Sequence, residues 1–206
     1  MTGVTSGPEP GDPGAWLDAL ADAAPNAVAA YRGIEAGRFI SVRREVRRRA
    51  GPGSAAASIA ELEALAAALA AVVTRLPEAV LRAPGGEEDW NVAQTIGHDA
   101  SARSGLVLAA SLAASGRWPA DAPTVVPGVP GPADAPRDEL LRRIGQSRRV
   151  IARAGRVVEG HETDPCPLEH PLVGRLRCGE WLLFAGVHDL MHLEQLQRIE
   201  ASWLAR

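Results

Sequence analysis

Apolar residues recur at intervals of three and four along several stretches of this chain, and most of those stretches are bounded by residues that start or stop a helix. Ile59, Leu62, Leu65, Leu69, Val72 and Leu76 make one such stripe. Ser58 and Glu61 precede it at the spacing of a capping box, and Pro77 disturbs it. Asn91 and Gln94 repeat that spacing ahead of a second helix. Leu140, Leu141, Ile144, Ile151 and Val158 line a third, whose arginines fall on the other face. The fourth begins near Glu180-Trp181 and runs past Ile199. The pattern predicts bundle helices over 58–76, 91–114, 136–158 and 178–202.

The connections are as informative as the stripes. Pro119, Pro123, Pro127, Pro130, Pro132 and Pro136 leave no regular helix between the second and third bundle elements. A linker of that length permits a crossover along the bundle, where a short turn would force antiparallel neighbours. Residues 1 to 14, rich in Gly, Pro and Thr, read as a tail. Residues 15 to 50 carry helical patterns around Trp16, Leu17 and Leu20, and from Ala27 to Arg49. The expected fold is therefore all-α: a four-helix bundle over 55–206 with a long crossover between its second and third helices, preceded over 1–54 by a disordered tail and accessory N-terminal helices.

Composition narrows the function. With 206 residues, 46% of them hydrophobic, the chain has one substantial core and little room for two independent enzymatic domains. A formal charge of -3 argues against a nucleic-acid partner. No lysine occurs anywhere, which excludes lysine Schiff bases and the Gly-Lys-Ser/Thr phosphate loop. Cys166 and Cys178, far apart with no secretory segment at the start, point to a reduced, cytoplasmic protein. No uninterrupted apolar run reads as a membrane span, so no membrane partner is expected. The Arg43, Arg44, Arg47, Arg48, Arg49 cluster reads as a solvated helix face and is assigned no site.

Candidate chemistry lies in the last helix. His188 and His192 are one turn apart, so their rings can aim at a single point, within a stripe that also holds Trp181, Phe184, Gln195 and Ile199. Two imidazoles make an incomplete metal site, because an open catalytic centre takes three protein ligands. Of the other histidines, only His98 sits inside a convincing helix. Gln94, Ser101, Ala102 and Gly105 share its face and leave space beside the ring. The loop His161-Glu-Thr-Asp-Pro-Cys166-Pro-Leu-Glu-His170 matches no paired-cysteine zinc spacing and reads as the mouth of a pocket, with His170 a candidate acid or base. Three core histidines satisfied by polar neighbours are the alternative reading.

The ordered set Trp90, Gly97-His98, His170-Pro171, Gly174, Leu176, Glu180-Trp181, His188, His192 and Gln195 resembles the DinB-like (YfiT-type) metal-binding four-helix-bundle family, over roughly residues 55 to 200. Arg177 departs from that pattern, since members often carry a capping Ser or Thr there. The resemblance implies four helices and one divalent metal held by His98, His188 and His192. Zinc is the default, with nickel or iron as alternatives, because neutral imidazoles suit all three. Gln94, Ser101, Glu180, Gln195 and His170 are candidates for the pocket wall or for supporting the ligands. The function it implies is transfer of a low-molecular-weight thiol to an electrophilic small molecule. Hydrolysis by metal-bound water is one alternative, and a non-catalytic bundle that binds or forms a homodimer is another.

Overall fold

A computed structural model describes residues 14–85 and 89–205. Except for Gly14, the tail expected over 1–14 lies outside the described residues. Seven helices follow: α1 (Ala15–Asp18), α2 (Pro25–Arg32), α3 (Phe39–Arg49), α4 (Ala55–Arg75), α5 (Val92–Ala114), α6 (Arg137–Ala154) and α7 (Cys178–Leu204). A two-stranded antiparallel sheet, β1 (Pro165–His170) and β2 (Gly174–Arg177), leads into α7.

Helices α4 to α7 are the bundle. Helix α4 packs on α6 and α7, and α5 packs on the same two, so α4 and α5 face each other diagonally. Side-chain pairs fix the directions. Arg103 meets Ser147 while Gly155 lies against Val107, which makes α5 and α6 parallel. Arg75 meets Glu200 and Leu65 lies against Gly186, which makes α4 and α7 parallel. Arg103 also meets Asp189, whereas His98 meets His192 further along α7, so those two helices are antiparallel. Two adjacent parallel pairs require the long passage between α5 and α6, and residues 115–136 supply it without forming a helix. The linker returns to the start of α5, where the Gly131 amide donates to the Gln94 carbonyl at 3.0 Å.

Several local expectations are corrected. The pattern from Ala27 to Arg49 is two helices, broken at Gly33–Arg38. Their buried residues Ala27, Val28, Ala30, Val42 and Val46 belong to the same hydrophobic cluster as the bundle. Ser58 and Glu61 do not start α4, which begins at Ala55. Instead Glu61, 4% exposed, accepts from the Asn26 and Ala27 amides at 3.2 and 2.8 Å and caps α2 from outside. The α3 arginines Arg44, Arg47 and Arg48 stay on an exposed face, as the sequence reads, while their carboxylate partners are buried. The Glu45 carboxylate, 3% exposed, binds Arg44, Arg48 and Arg49, and Arg47 reaches Glu180. The stretch 165–177 is a hairpin instead of an irregular loop.

By length and composition alone α4 is apolar enough to cross a membrane, although Glu61 and Glu63 interrupt its apolar run. Yet its Leu62, Leu65 and Leu69 are core residues, and Glu63 pairs with Arg148 of α6. Cys166 and Cys178, far apart by the standard of a paired-cysteine motif, are brought near each other by the Pro165–Arg177 pairing, and both are free and buried.

Candidate metal centre

Helix α5 starts cleanly because Asn91 and Gln94 close a reciprocal capping box, with the Gln94 amide on Asn91 Oδ1 at 2.9 Å and the Asn91 amide on Gln94 Oε1 at 3.0 Å. That sets His98 two turns into the helix. Helix α7 starts with half of the same device. The Arg177 amide donates to Glu180 Oε2 at 2.9 Å, and the arginine side chain has no acceptor with which to return the bond. His188 and His192 then lie on the α7 face that meets α5.

The three histidines converge. Their ligand nitrogens lie within 4.8 Å of one another, and their ring centroids are separated by 4.5 Å (His188 to His192) and 5.4 Å (His98 to each of the others). Tetrahedral ligation at about 2.0–2.1 Å places nitrogens about 3.4 Å apart, so closing on an ion draws the rings slightly together. Each ring is oriented by an acceptor at Nδ1. For His98 it is the Val129 carbonyl of the linker at 2.8 Å, for His188 it is Asp99 Oδ1 at 3.2 Å, and for His192 it is Gln195 Oε1 at 3.0 Å. The Gln195 amide is itself oriented, because its nitrogen donates to the Gly85 carbonyl. With Nδ1–H committed in all three rings, Nε2 is the nitrogen left with a lone pair.

Beneath the histidines is a buried charge cluster. Asp99 and Asp189 each follow a histidine of their own helix by one residue, about 100° around the axis. Asp99 does turn away from His98, but toward His188 of the opposite helix. Asp189 is held by Arg103 at 2.8 to 3.1 Å, and Arg103 also binds Ser147 and the Leu62 carbonyl. Asp99, Arg103 and Asp189 are all fully buried. Burial opposes the Asp99 charge, yet the hydrogen bond from His188 and the nearby His192 and Arg103 outweigh it and hold the carboxyl at about 2. Asp189 is pushed the other way, by burial and by Asp99, against the pull of Arg103. Burial also lowers His188, which favours the neutral ring that a metal requires.

This donor set fits a divalent cation. Three imidazoles offer Nε2 toward one point, and Asp99, whose Oδ2 has no hydrogen-bond donor among the described residues, stands behind the His188 ring. A carboxylate so placed raises the basicity of that ring toward a cation on its far side.

Of the remaining candidates, Gln94 and Glu180 are corrected: their carboxamide and carboxylate are spent on helix caps, and Glu180 is also bound by Arg47. Ser101 lines a cavity beside His98, although its hydroxyl donates back to the Gly97 carbonyl. His170 lines a cavity of about 460 Å³ together with Trp90, His98 and His188 and with apolar side chains such as Leu106 and Leu172. Its Nδ1 accepts the Leu172 amide at 3.2 Å, which puts its proton on Nε2. Burial, with the charges of His188 and His98, lowers it to about 4. At neutral pH it is thus a neutral donor and a poor acid. A smaller cavity of about 180 Å³ touches all three candidate ligands and His170. Trp90 packs against His98 with ring centroids 5.0 Å apart and planes tilted by 55°.

No curated protein and no solved structure matches the chain. A family model for the DinB superfamily matches residues 61–196, from the middle of α4 to the Leu196 turn of α7 and across every residue of the triad; the chain belongs to the DinB superfamily.

Proposed function

We propose that His98, His188 and His192 hold one divalent metal through Nε2, zinc by default, and that the protein uses it to transfer a low-molecular-weight thiol to an electrophilic small molecule. The observation that carries the metal assignment is the fixing of all three Nδ1 atoms by a carbonyl, a carboxylate and a carboxamide. Core histidines acting independently have no reason to direct three free lone pairs at one point. Bound there, a divalent cation would lower the pKa of a thiol or water taken up at its open position.

The choice between thiol and water rests on the side chains around that point. Among the described residues, the ionisable groups on the two cavities that reach His188 are histidines: the candidate ligands and His170. Asp99 is sealed behind His188 and already accepts from it. A thiol, with an unperturbed pKa near 8.5, needs far less assistance to ionise than water at about 15.7. His170, with Nε2–H directed away from its Leu172 contact, can donate a hydrogen bond to a developing negative charge but cannot take a proton from water at neutral pH without first losing that tautomer. Trp90 and the linker carbonyl restrict how His98 can turn, which keeps the site in register with the cavity.

The test is direct. Protein purified without chelator should carry close to one equivalent of divalent metal. Zinc- or nickel-loaded protein is then given a model electrophile with and without a panel of small thiols. Turnover that requires both metal and thiol supports the proposal. Turnover needing no thiol would favour hydrolysis, and absence of turnover in both arms would favour a binding role.

A further inference from the structure

His98 borders a second space. On the outer face of α5 the proline-rich linker folds back and leaves a cleft of about 360 Å³ that ends at His98. Its floor is Ala102, Gly105 and Ala109, and its opposite wall is built from Trp118, Val125, Val126 and Leu168. Among the described residues that line it, none but His98 carries an ionisable side chain, and Ser101 is the sole hydroxyl. The volume lies within the range of small-molecule sites. Leu108, Val125 and Val129 are 45%, 51% and 57% exposed around it, so the apolar wall continues to the opening.

The cavity on the other side of His98 is mixed: His170 and His188 stand there among Trp90, Leu106, Val126, Pro127 and Leu172. The two meet at His98, Ala102, Leu106, Val126 and Pro127. The further imidazoles lie on the His170 side, and the linker side has the more uniformly apolar wall. We infer that the cleft between α5 and the linker binds the uncharged apolar part, aliphatic or aryl, of the electrophilic substrate and delivers its reactive end to the histidine centre, leaving the His170 side for the thiol. The inference rests on the proposed reaction for the words substrate and thiol. The cleft's preference for uncharged apolar ligands does not.

A second copy of the chain is a poorer occupant, because the cleft is concave and narrows to a single imidazole. An apolar chain in it gains about fourfold in affinity for each methylene buried. The experiment uses the uncharged fluorophore N-phenyl-1-naphthylamine on metal-free and zinc-loaded protein, displaced by 1-hexanol, 1-octanol and 1-decanol. Affinity should climb with chain length in both forms. Gly105→Leu blocks the cleft: a Cβ at Gly105 meets nothing within 4 Å, and leaving glycine favours the helix, so the variant should fold. It should lose at least about tenfold in alkanol affinity while zinc stoichiometry is unchanged. Val125→Glu, at an exposed position of the wall, should act in the same direction.

Unchanged alkanol affinity in both variants, or affinity independent of chain length, would overturn the inference. So would probe binding that tracks a monomer-dimer equilibrium in sedimentation and disappears with the dimer. His188→Ala separates the two readings: it should lose zinc and keep alkanol binding. Loss of zinc binding by the wild type with the cleft intact would sink the proposed reaction alone.

Discussion

Asp99 Oδ1 lies 3.2 Å from His188 Nδ1 across the interface of α5 and α7, although each residue is a sequence neighbour of a different member of the site. The contact fixes the His188 tautomer and places a negative charge behind the ring. Asp99→Ala should therefore weaken metal binding about 10- to 100-fold while leaving the helices formed. Gln195→Ala should do the same through His192. Competition against a chromogenic chelator measures both, and affinities equal to wild type would show that these acceptors do not support the ligands.

The buried guanidinium gives a stability prediction. Arg103 is fully buried and, among the described residues, is the one cation bound to Asp189. Arg103→Ala leaves Asp189 and Asp99 without it, and breaking such a pair costs about 3–5 kcal/mol. Arg142→Ala, which removes an exposed partner of Glu139, should cost less than about 1 kcal/mol. Urea unfolding of both variants at pH 7 tests the contrast, and similar losses would mean that the buried cluster is no more than a surface pair.

How much of this was legible in the chain follows from what kind of signal each contact leaves. The bundle was legible because leucine stripes and prolines act locally. His188 and His192 were legible because a four-residue spacing is a geometric statement. Asp99 was not: its angle on α5 excludes its own histidine, and nothing in one helix reports what the other helix brings opposite. The acceptor for His98 is a backbone carbonyl at Val129, which has no side-chain signature at all. Gln94 could have been resolved, since the capping box with Asn91 already uses the carboxamide that a pocket role would need. The hairpin at 165–177 was hidden by Pro165, Pro167 and Pro171, residues that lower strand propensity, although its buried Cys166, Leu168 and Leu176 alternate as strand residues do.

Acid should destabilise the metal-free protein through its partly buried histidines. His170 is held at about 4 against an ordinary value of 6.5. Between those values the unfolded chain binds a proton that the folded chain does not, so stability is full above pH 6.5 and falls as pH drops toward 4. His188 is lowered too and acts in the same direction. His170→Phe, which keeps a ring against Phe184, should flatten the loss between pH 7 and 5. Equal losses in the two proteins, followed by urea midpoints at each pH, would place the acid sensitivity elsewhere.

The last prediction concerns the glycine beside the first histidine. Gly97 and Gly131 bring α5 and the linker so close that a Cβ on Gly97 would lie 2.9 Å from Gly131 Cα, a backbone atom that cannot swing aside. Two residues from Gly131, the Val129 carbonyl orients His98. Gly97→Ala raises helix propensity, by itself a stabilising change of about 0.8–1 kcal/mol, so any harm must come from the displaced linker. The expected outcome is an intact helical spectrum with weakened metal binding, since the His98 ring loses its acceptor while the helix that carries it persists. Gly131→Ala, whose Cβ would lie 2.6 Å from Gly97 Cα, approaches the same contact from the other side and should match it. Wild-type affinity in both variants would mean that the linker can shift without disturbing His98, and that the close approach serves packing alone.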